Sequence, residues 1–261
     1  MTSTARPADK DTIDSSILEP VIPAGHDRQV WTGLNGDSLP LAVANLARNH
    51  NSLVVVITPD MQSAELLQDQ VEYFSASSPF LVTTLPDWET LPYDKFSPHP
   101  DITSARLATL YGLADMQRGL LIVPVPTLLQ RLPPDEYIYQ NSLILNTGDT
   151  LRIDAMRTRL DSAGYRSVSQ VMEHGEFAVR GSLLDIYPMG NSQPFRIDLF
   201  DDEIDSIRTF DCDTQRSLET VKSIRMLPAR EFPLHEDAIR LFRRRFRATF
   251  PGDPQNCPVY R

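Results

Sequence analysis

Cysteine is scarce: only Cys212 and Cys257 occur among 261 residues. Two thiols build neither a disulfide scaffold nor a cysteine-based zinc site. Long apolar runs are also missing. Leu53 to Ile57 and Leu120 to Val123 are typical, and both fall far short of the ~20 residues that cross a bilayer. No membrane partner is expected. The opening stretch MTSTARPADKDTIDSS is polar and holds no apolar signal core, so the cytoplasm is the expected location. A basic excess is lacking too. The 25 Lys and Arg against 35 Asp and Glu leave a formal charge of −10, whereas a protein wrapped around nucleic acid is normally basic. This argues against generic DNA coating and leaves room only for a local basic patch.

What remains is ordinary globular composition, with 41% hydrophobic and 23% charged residues, which excludes collagen and low-complexity character. Proline is abundant at 21 residues, many of them closing strands as in ITPD, VPVP and IYPMG. At roughly 150 residues per domain, the length suggests two domains, or one large and one small.

Residues 1–22 read as a polar, flexible tail. Strands and helices then alternate: a short strand over Gln29 to Thr32, helices over Leu39 to Asn49, Met61 to Phe74 and Thr103 to Met116, and strands over Leu53 to Thr58, Phe80 to Leu85, Leu120 to Val123 and Ser142 to Leu145. That order predicts a parallel sheet covered by helices. After a helix over Arg152 to Ala163, closed by Gly164, strands follow one another without helices: Arg166 to Val171, Glu176 to Val179, Ser182 to Tyr187, Gln193 to Asp198, Glu203 to Phe210 and Val221 to Leu227. This predicts a small α+β domain. His235 to Phe250 reads as an amphipathic helix with Ile239, Phe242 and Phe246 inward.

Gln29 to Pro40 runs strand, glycine turn, helix, the context of a phosphate-binding loop. Such a loop needs a Lys for the β/γ-phosphates and a Ser or Thr hydroxyl for Mg²⁺. Aligned on Gly33 and Gly36, this chain places Leu39 and Pro40 at those positions. Leu39 carries no charge, and Pro40 has neither a hydroxyl nor an amide N–H. The loop is expected to be non-functional, and no cofactor, metal or catalytic residue is expected.

In Phe195-Arg196-Ile197-Asp198-Leu199-Phe200 side chains alternate across a strand. Phe195, Ile197 and Leu199 form an apolar face; Arg196, Asp198 and Phe200 form the other. An aromatic ending a charged face suits an interface anchor. Arg180 precedes Gly181 in a neighbouring strand. The alternative is that both arginines merely pair with the local acids Asp198, Asp201, Asp202 and Glu203. Other stretches read as surface: the acidic run Asp201-Asp202-Glu203 with Asp205 as a solvated turn, His174 beside Glu173 and Glu176 as a surface histidine, and Trp88 with Tyr93 as packing under a loop rather than base-stacking residues. Arg240, Arg243, Arg244, Arg245 and Arg247 on the last helix suit either a solvated face or phosphate contact.

Four long segments carry a family likeness: LPDWETLPYDKFSPHPDITSARLATLYGL (Leu85 to Leu113), LIVPVPTLLQRL (Leu121 to Leu132), DSAGYRSVSQVMEHGEFAVRGSLLDIYPMG (Asp161 to Gly190) and FRIDLFDDEIDSIRTFDCDTQRS (Phe195 to Ser217). In order and spacing they resemble the N-terminal region of the bacterial transcription-repair coupling factors (Mfd) and, more distantly, the nucleotide excision repair protein UvrB. The resemblance implies an α/β fold: a degenerate helicase-like (P-loop NTPase-type) parallel-sheet domain over residues 23–142, an inserted α+β UvrA-binding domain over 143–226, and a returning segment of the first domain over 227–261. It implies a non-catalytic module that recruits UvrA to stalled RNA polymerase in transcription-coupled nucleotide excision repair, with Arg180, Arg196 and Phe200 at UvrA-contacting positions. It further implies that RNA polymerase and DNA are engaged by regions outside this chain, which reads as an N-terminal fragment, and that another domain masks the UvrA-binding surface. FSPHPDITSAR, where UvrB carries an aromatic-rich DNA-clamping hairpin, is short and lacks such a cluster. The remaining alternatives are a nucleic-acid-dependent ATPase lobe, which predicts nucleotide binding, and weak DNA binding through the last helix.

Overall fold

A computed structural model describes residues 18–20, 25, 27–91, 94–253 and 256. Most of the tail 1–22, together with Tyr93 and Cys257, lies outside the described residues. The chain packs into two units, Met1–Thr84 with Met116–Val123, and Leu85–Asp115 with Pro124–Arg261.

The first unit holds helices α1 (Ser38–Asn49) and α2 (Met61–Ser75) and strands β1 (Leu53–Thr58), β2 (Val82–Thr84) and β3 (Gly119–Pro124). The strands form a three-stranded sheet in the order β1-β3-β2, with β2 and β3 parallel. Buried on every residue, β3 is the central strand, as the apolar run Leu120 to Val123 requires. Val43, Ala44 and Ala47 of α1 and Ala64, Leu67 and Val71 of α2 pack with Leu120 and Ile122 of β3 and with Val54 and Val56 of β1. Val55 and Ile57 alternate with these and are exposed. Asp60 caps the start of α2, its side chain accepting a 2.8 Å hydrogen bond from the Ser63 N–H. The strand expected over Gln29 to Thr32 does not form. Those residues join no sheet and Val30 is exposed, so the β pattern lacks the pairing that would satisfy its backbone.

The second unit contains α3 (Pro100–Leu113), the short helices α4 (Val125–Leu128) and α5 (Asp135–Gln140), α6 (Ile153–Ser162) and α7 (Glu236–Thr249). Six strands, β5 (Arg166–Ser167), β6 (Glu176–Arg180), β7 (Leu183–Ile186), β8 (Phe195–Phe200), β9 (Glu203–Phe210) and β10 (Ser217–Val221), build one sheet in the order β10-β9-β8-β7-β6-β5. Neighbours run antiparallel from β6 to β10, and β5 lies parallel to β6. Met156 and Leu160 of α6 and Leu107 of α3 share a core with Phe177, Leu184, Ile186, Ile197 and Ile207 on one face of this sheet.

Several elements differ from the reading along the chain. β4 (Leu143–Asn146) leaves the parallel sheet and pairs antiparallel with β11 (Ser223–Met226). The single strand expected over Val221 to Leu227 is therefore divided at Lys222, because β10 follows β9 and β11 follows β4. α3, which reads as part of the alternating region, packs its Leu107 into the core of the second unit. In α7 no residue is buried, so Ile239, Phe242 and Phe246 do not face a core; Phe246 instead stacks with Phe242 and Phe250 at ring distances of 5.8 and 4.8 Å.

Candidate partner-docking surface

Antiparallel pairing places Asp185 of β7 opposite Arg196 of β8, and Arg196 opposite Arg208 of β9. Side chains directly opposite share a face, so the outer face of the sheet carries a row of charges. The inward neighbours Leu184, Ile186, Ile197 and Ile207 bury the other face. Two arginines facing each other repel unless each has its own anion. Arg208 reaches Asp198 at 3.4 Å, and Arg196 turns to Asp185.

Asp185 is the hub. Arg196 donates through Nε to Oδ1 at 2.7 Å and through Nη2 to Oδ2 at 2.9 Å, a bidentate fork. Arg180, at the end of β6, donates through Nη2 to the same Oδ2 at 2.6 Å. The Asp185 side chain is 1% exposed, that of Arg196 17% and that of Arg180 52%. Arg196 spends Nη1 on the Gln215 carbonyl at 3.1 Å and the Ser217 hydroxyl at 3.4 Å, and lies 4.9 Å from the Phe210 ring centroid. The Asp185 carboxylate raises the Arg196 pKa above the usual arginine value, against a smaller opposing effect of burial.

Phe200 ends β8 with its side chain out, 76% exposed. The Leu199 N–H donates to the Ser182 carbonyl at 3.0 Å, which ties the end of β8 to the β6–β7 turn at Gly181 (φ 62°) and Ser182. Arg180 and Phe200 therefore flank one turn. The arginines do pair locally, but with Asp185 rather than with Asp198, Asp201, Asp202 or Glu203. Sequence reasoning missed Asp185. Its signal was an acid alternating with Leu184 and Ile186 in a strand, and only the strand register shows which cations meet it.

At the glycine loop, Gly33 (φ 76°) and Gly36 (φ 55°) adopt left-handed backbone. The Ser38 hydroxyl donates to the Asn35 carbonyl at 2.8 Å. Leu39 is exposed and Pro40 buried in the first turn of α1. Asp37, at the N-cap, makes no side-chain cap; its carboxylate accepts from Gln70 at 3.0 Å.

The remaining candidates resolve into structure. Asp201 (φ 53°) and Asp202 form the β8–β9 turn. No group of three or more His, Cys, Asp or Glu side chains among the described residues is placed to hold a metal ion. His174 is not a surface residue. Its side chain is 12% exposed, bridges Asp101 at 2.6 Å and the Asn191 carbonyl at 2.7 Å, and stacks on Tyr187. Trp88 donates from Nε1 to Glu231 at 2.8 Å under the guanidinium of Arg106. No helix among the described residues is long and apolar enough to cross a membrane.

Comparison with known proteins adds a family match. Residues 143–232 fit the model of the UvrB interaction domain. The chain is 53% identical over 237 residues to the transcription-repair-coupling factor of Escherichia coli (strain K12), a match covering 90% of this chain and 20% of that protein. It is 47% identical over 247 residues to the factor of the same name from Haemophilus influenzae, covering 94% of this chain and 21% of that protein. Against that of Bacillus subtilis the identity is 31% over 207 residues, covering 79% and 17%. The chain thus spans about a fifth of the length of the curated relatives it matches.

Proposed function

We propose, from the premise that this chain is similar to the N-terminal, UvrB-like region of transcription-repair-coupling factors, that it is the UvrA-docking module of such a factor and acts in transcription-coupled nucleotide excision repair. The observation that carries the reading is the exposed pair Arg180 and Phe200 beside the Asp185–Arg196 fork, on a sheet within the UvrB interaction match. An aromatic anchor next to a charged fork is the chemistry of an interface hot spot.

On this reading residues 143–226 are the docking domain, inserted in a degenerate helicase-like domain formed by 23–142 and 227–261. The parallel β2–β3 pairing and the glycine turn before α1 support the helicase-like part of that assignment. The module is non-catalytic: Leu39 and Pro40 supply neither cation nor hydroxyl to a nucleotide. RNA polymerase and DNA are partners of other regions of the longer protein. The arginine-rich α7 favours a second reading, weak phosphate binding. It predicts a steep loss of DNA affinity with salt.

Calorimetry of the chain with purified UvrA tests the docking reading, beside a variant with Arg180, Arg196 and Phe200 all changed to Ala. Binding by the parent and none by the folded variant is expected. Equal binding by both, or none by the parent, overturns it.

A further inference from the structure

We infer that Asp185 is the positioning residue of the docking surface, that Arg196 acts through it, and that Arg180 and Phe200 are the side chains that touch the partner. The inference rests on the docking reading above and assigns roles within that site.

Guanidinium carries five N–H donors. Arg196 commits Nε, Nη2 and both directions of Nη1 to Asp185, Gln215 and Ser217, and its side chain is 17% exposed. It has almost nothing left to offer a partner. Arg180 commits Nη2 alone and is half exposed, so most of its fork is available for a carboxylate. Asp185 holds both arginines through one buried carboxylate. Bracing Asp185 with two bonds from Arg196 fixes the oxygen on which Arg180 rests. A long side chain ordered in advance loses less freedom on binding. The partner that fits presents a carboxylate beside an apolar pocket, the first for Arg180 and the second for the Phe200 ring.

The test is a double-mutant cycle in calorimetry against UvrA, using the parent chain, Asp185→Asn, Arg180→Ala and the combination, with thermal melts to confirm folding. Asp185→Asn is expected to weaken binding about ten-fold in the parent and less than about two-fold where Arg180 is already Ala, the coupling of residues that act together. A loss of equal size in both backgrounds means general structural damage and overturns the assignment. Unchanged or tighter binding also overturns it, since Asp185 then either plays no part or competes with the partner.

If Asp185→Asn does not fold, Arg196→Lys serves the same cycle: it keeps the charge and loses the fork. Its effect is expected to disappear in the Arg180→Ala background; persistence there makes Arg196 a contact residue and sinks the inference. Failure of the docking reading looks different, because the parent chain then does not bind at all. A parent that binds and loses affinity on Phe200→Ala, with Asp185→Asn silent, removes only the positioning role.

Discussion

Arg106 of α3 and Glu231 meet as a bidentate pair with side chains 0% and 4% exposed, Nε to Oε1 at 2.5 Å and Nη2 to Oε2 at 3.2 Å. Nη1 of Arg106 also donates to the Pro86 carbonyl, and Trp88 shares the Glu231 carboxylate. Every charge in this buried group is answered, which is the condition under which ions are tolerated in an interior.

Removing one partner leaves the other buried and unpaired. Glu231→Ala is expected to destabilise the second unit by about 3–5 kcal/mol and to shift the fluorescence of Trp88. The double change Arg106→Met with Glu231→Leu is expected to cost less than the single change, because no charge is stranded. Urea unfolding of the three variants checks this. A double variant weaker than Glu231→Ala contradicts it.

On the proposed docking role, Phe200 is expected to separate binding from stability. Its ring is exposed, so Phe200→Ala is expected to change the unfolding free energy by less than about 0.5 kcal/mol. Loss of an interface anchor costs about 2 kcal/mol or more of affinity. Denaturation and UvrA binding, measured on the same preparation, decide it; a large stability loss makes Phe200 a core residue instead.

Tyr165 gives the chain an alkaline limit. Its hydroxyl is buried, donates to the Leu227 carbonyl at 2.6 Å and accepts from the Met189 N–H at 3.2 Å. Burial pushes its pKa well above the ordinary tyrosine value, and the Met189 N–H offsets only part of that. The folded state therefore holds the proton more tightly than the unfolded chain. The linked stability is fully present below about pH 10 and declines as pH rises through the higher folded value. Tyr165→Phe is expected to lose about 1–3 kcal/mol near neutrality and to show a shallower decline above pH 10. Parallel stability profiles for the two proteins count against this account.

Two glycines predict opposite signs. Gly119 has φ 125°, and a Cβ there would clash with the Leu81 carbonyl oxygen, where β3 starts by hydrogen bonding to that same carbonyl. Gly119→Ala is expected to destabilise by more than about 1 kcal/mol. Gly112 lies within α3 with open space around it, so Gly112→Ala is expected to stabilise by about 0.5–1 kcal/mol. Denaturant midpoints compare them directly, and a shift of the same sign in both refutes the assignment.

The amino-acid sequence by itself determined the elements whose signals are local. The spacing over Met61 to Phe74 announced α2, Gly164 the end of α6, the apolar run Leu120 to Val123 a strand, and the alternation from Phe195 to Phe200 both faces of β8. These depend on spacing and backbone preference within a few residues. Resemblance along four segments pointed to the family that the UvrB interaction match supports. Only tertiary structure decided what depends on partners distant in the chain. The β pattern at Gln29 to Thr32 stayed unpaired, Val221 to Leu227 split between two sheets, and the apolar stripe of α7 found no core to enter. Asp185 became the hub of the charged sheet face because strand register, a long-range property, set it opposite Arg196 and within reach of Arg180. A charge in a strand is visible in the sequence, but the charge that answers it is chosen by how the strands pair.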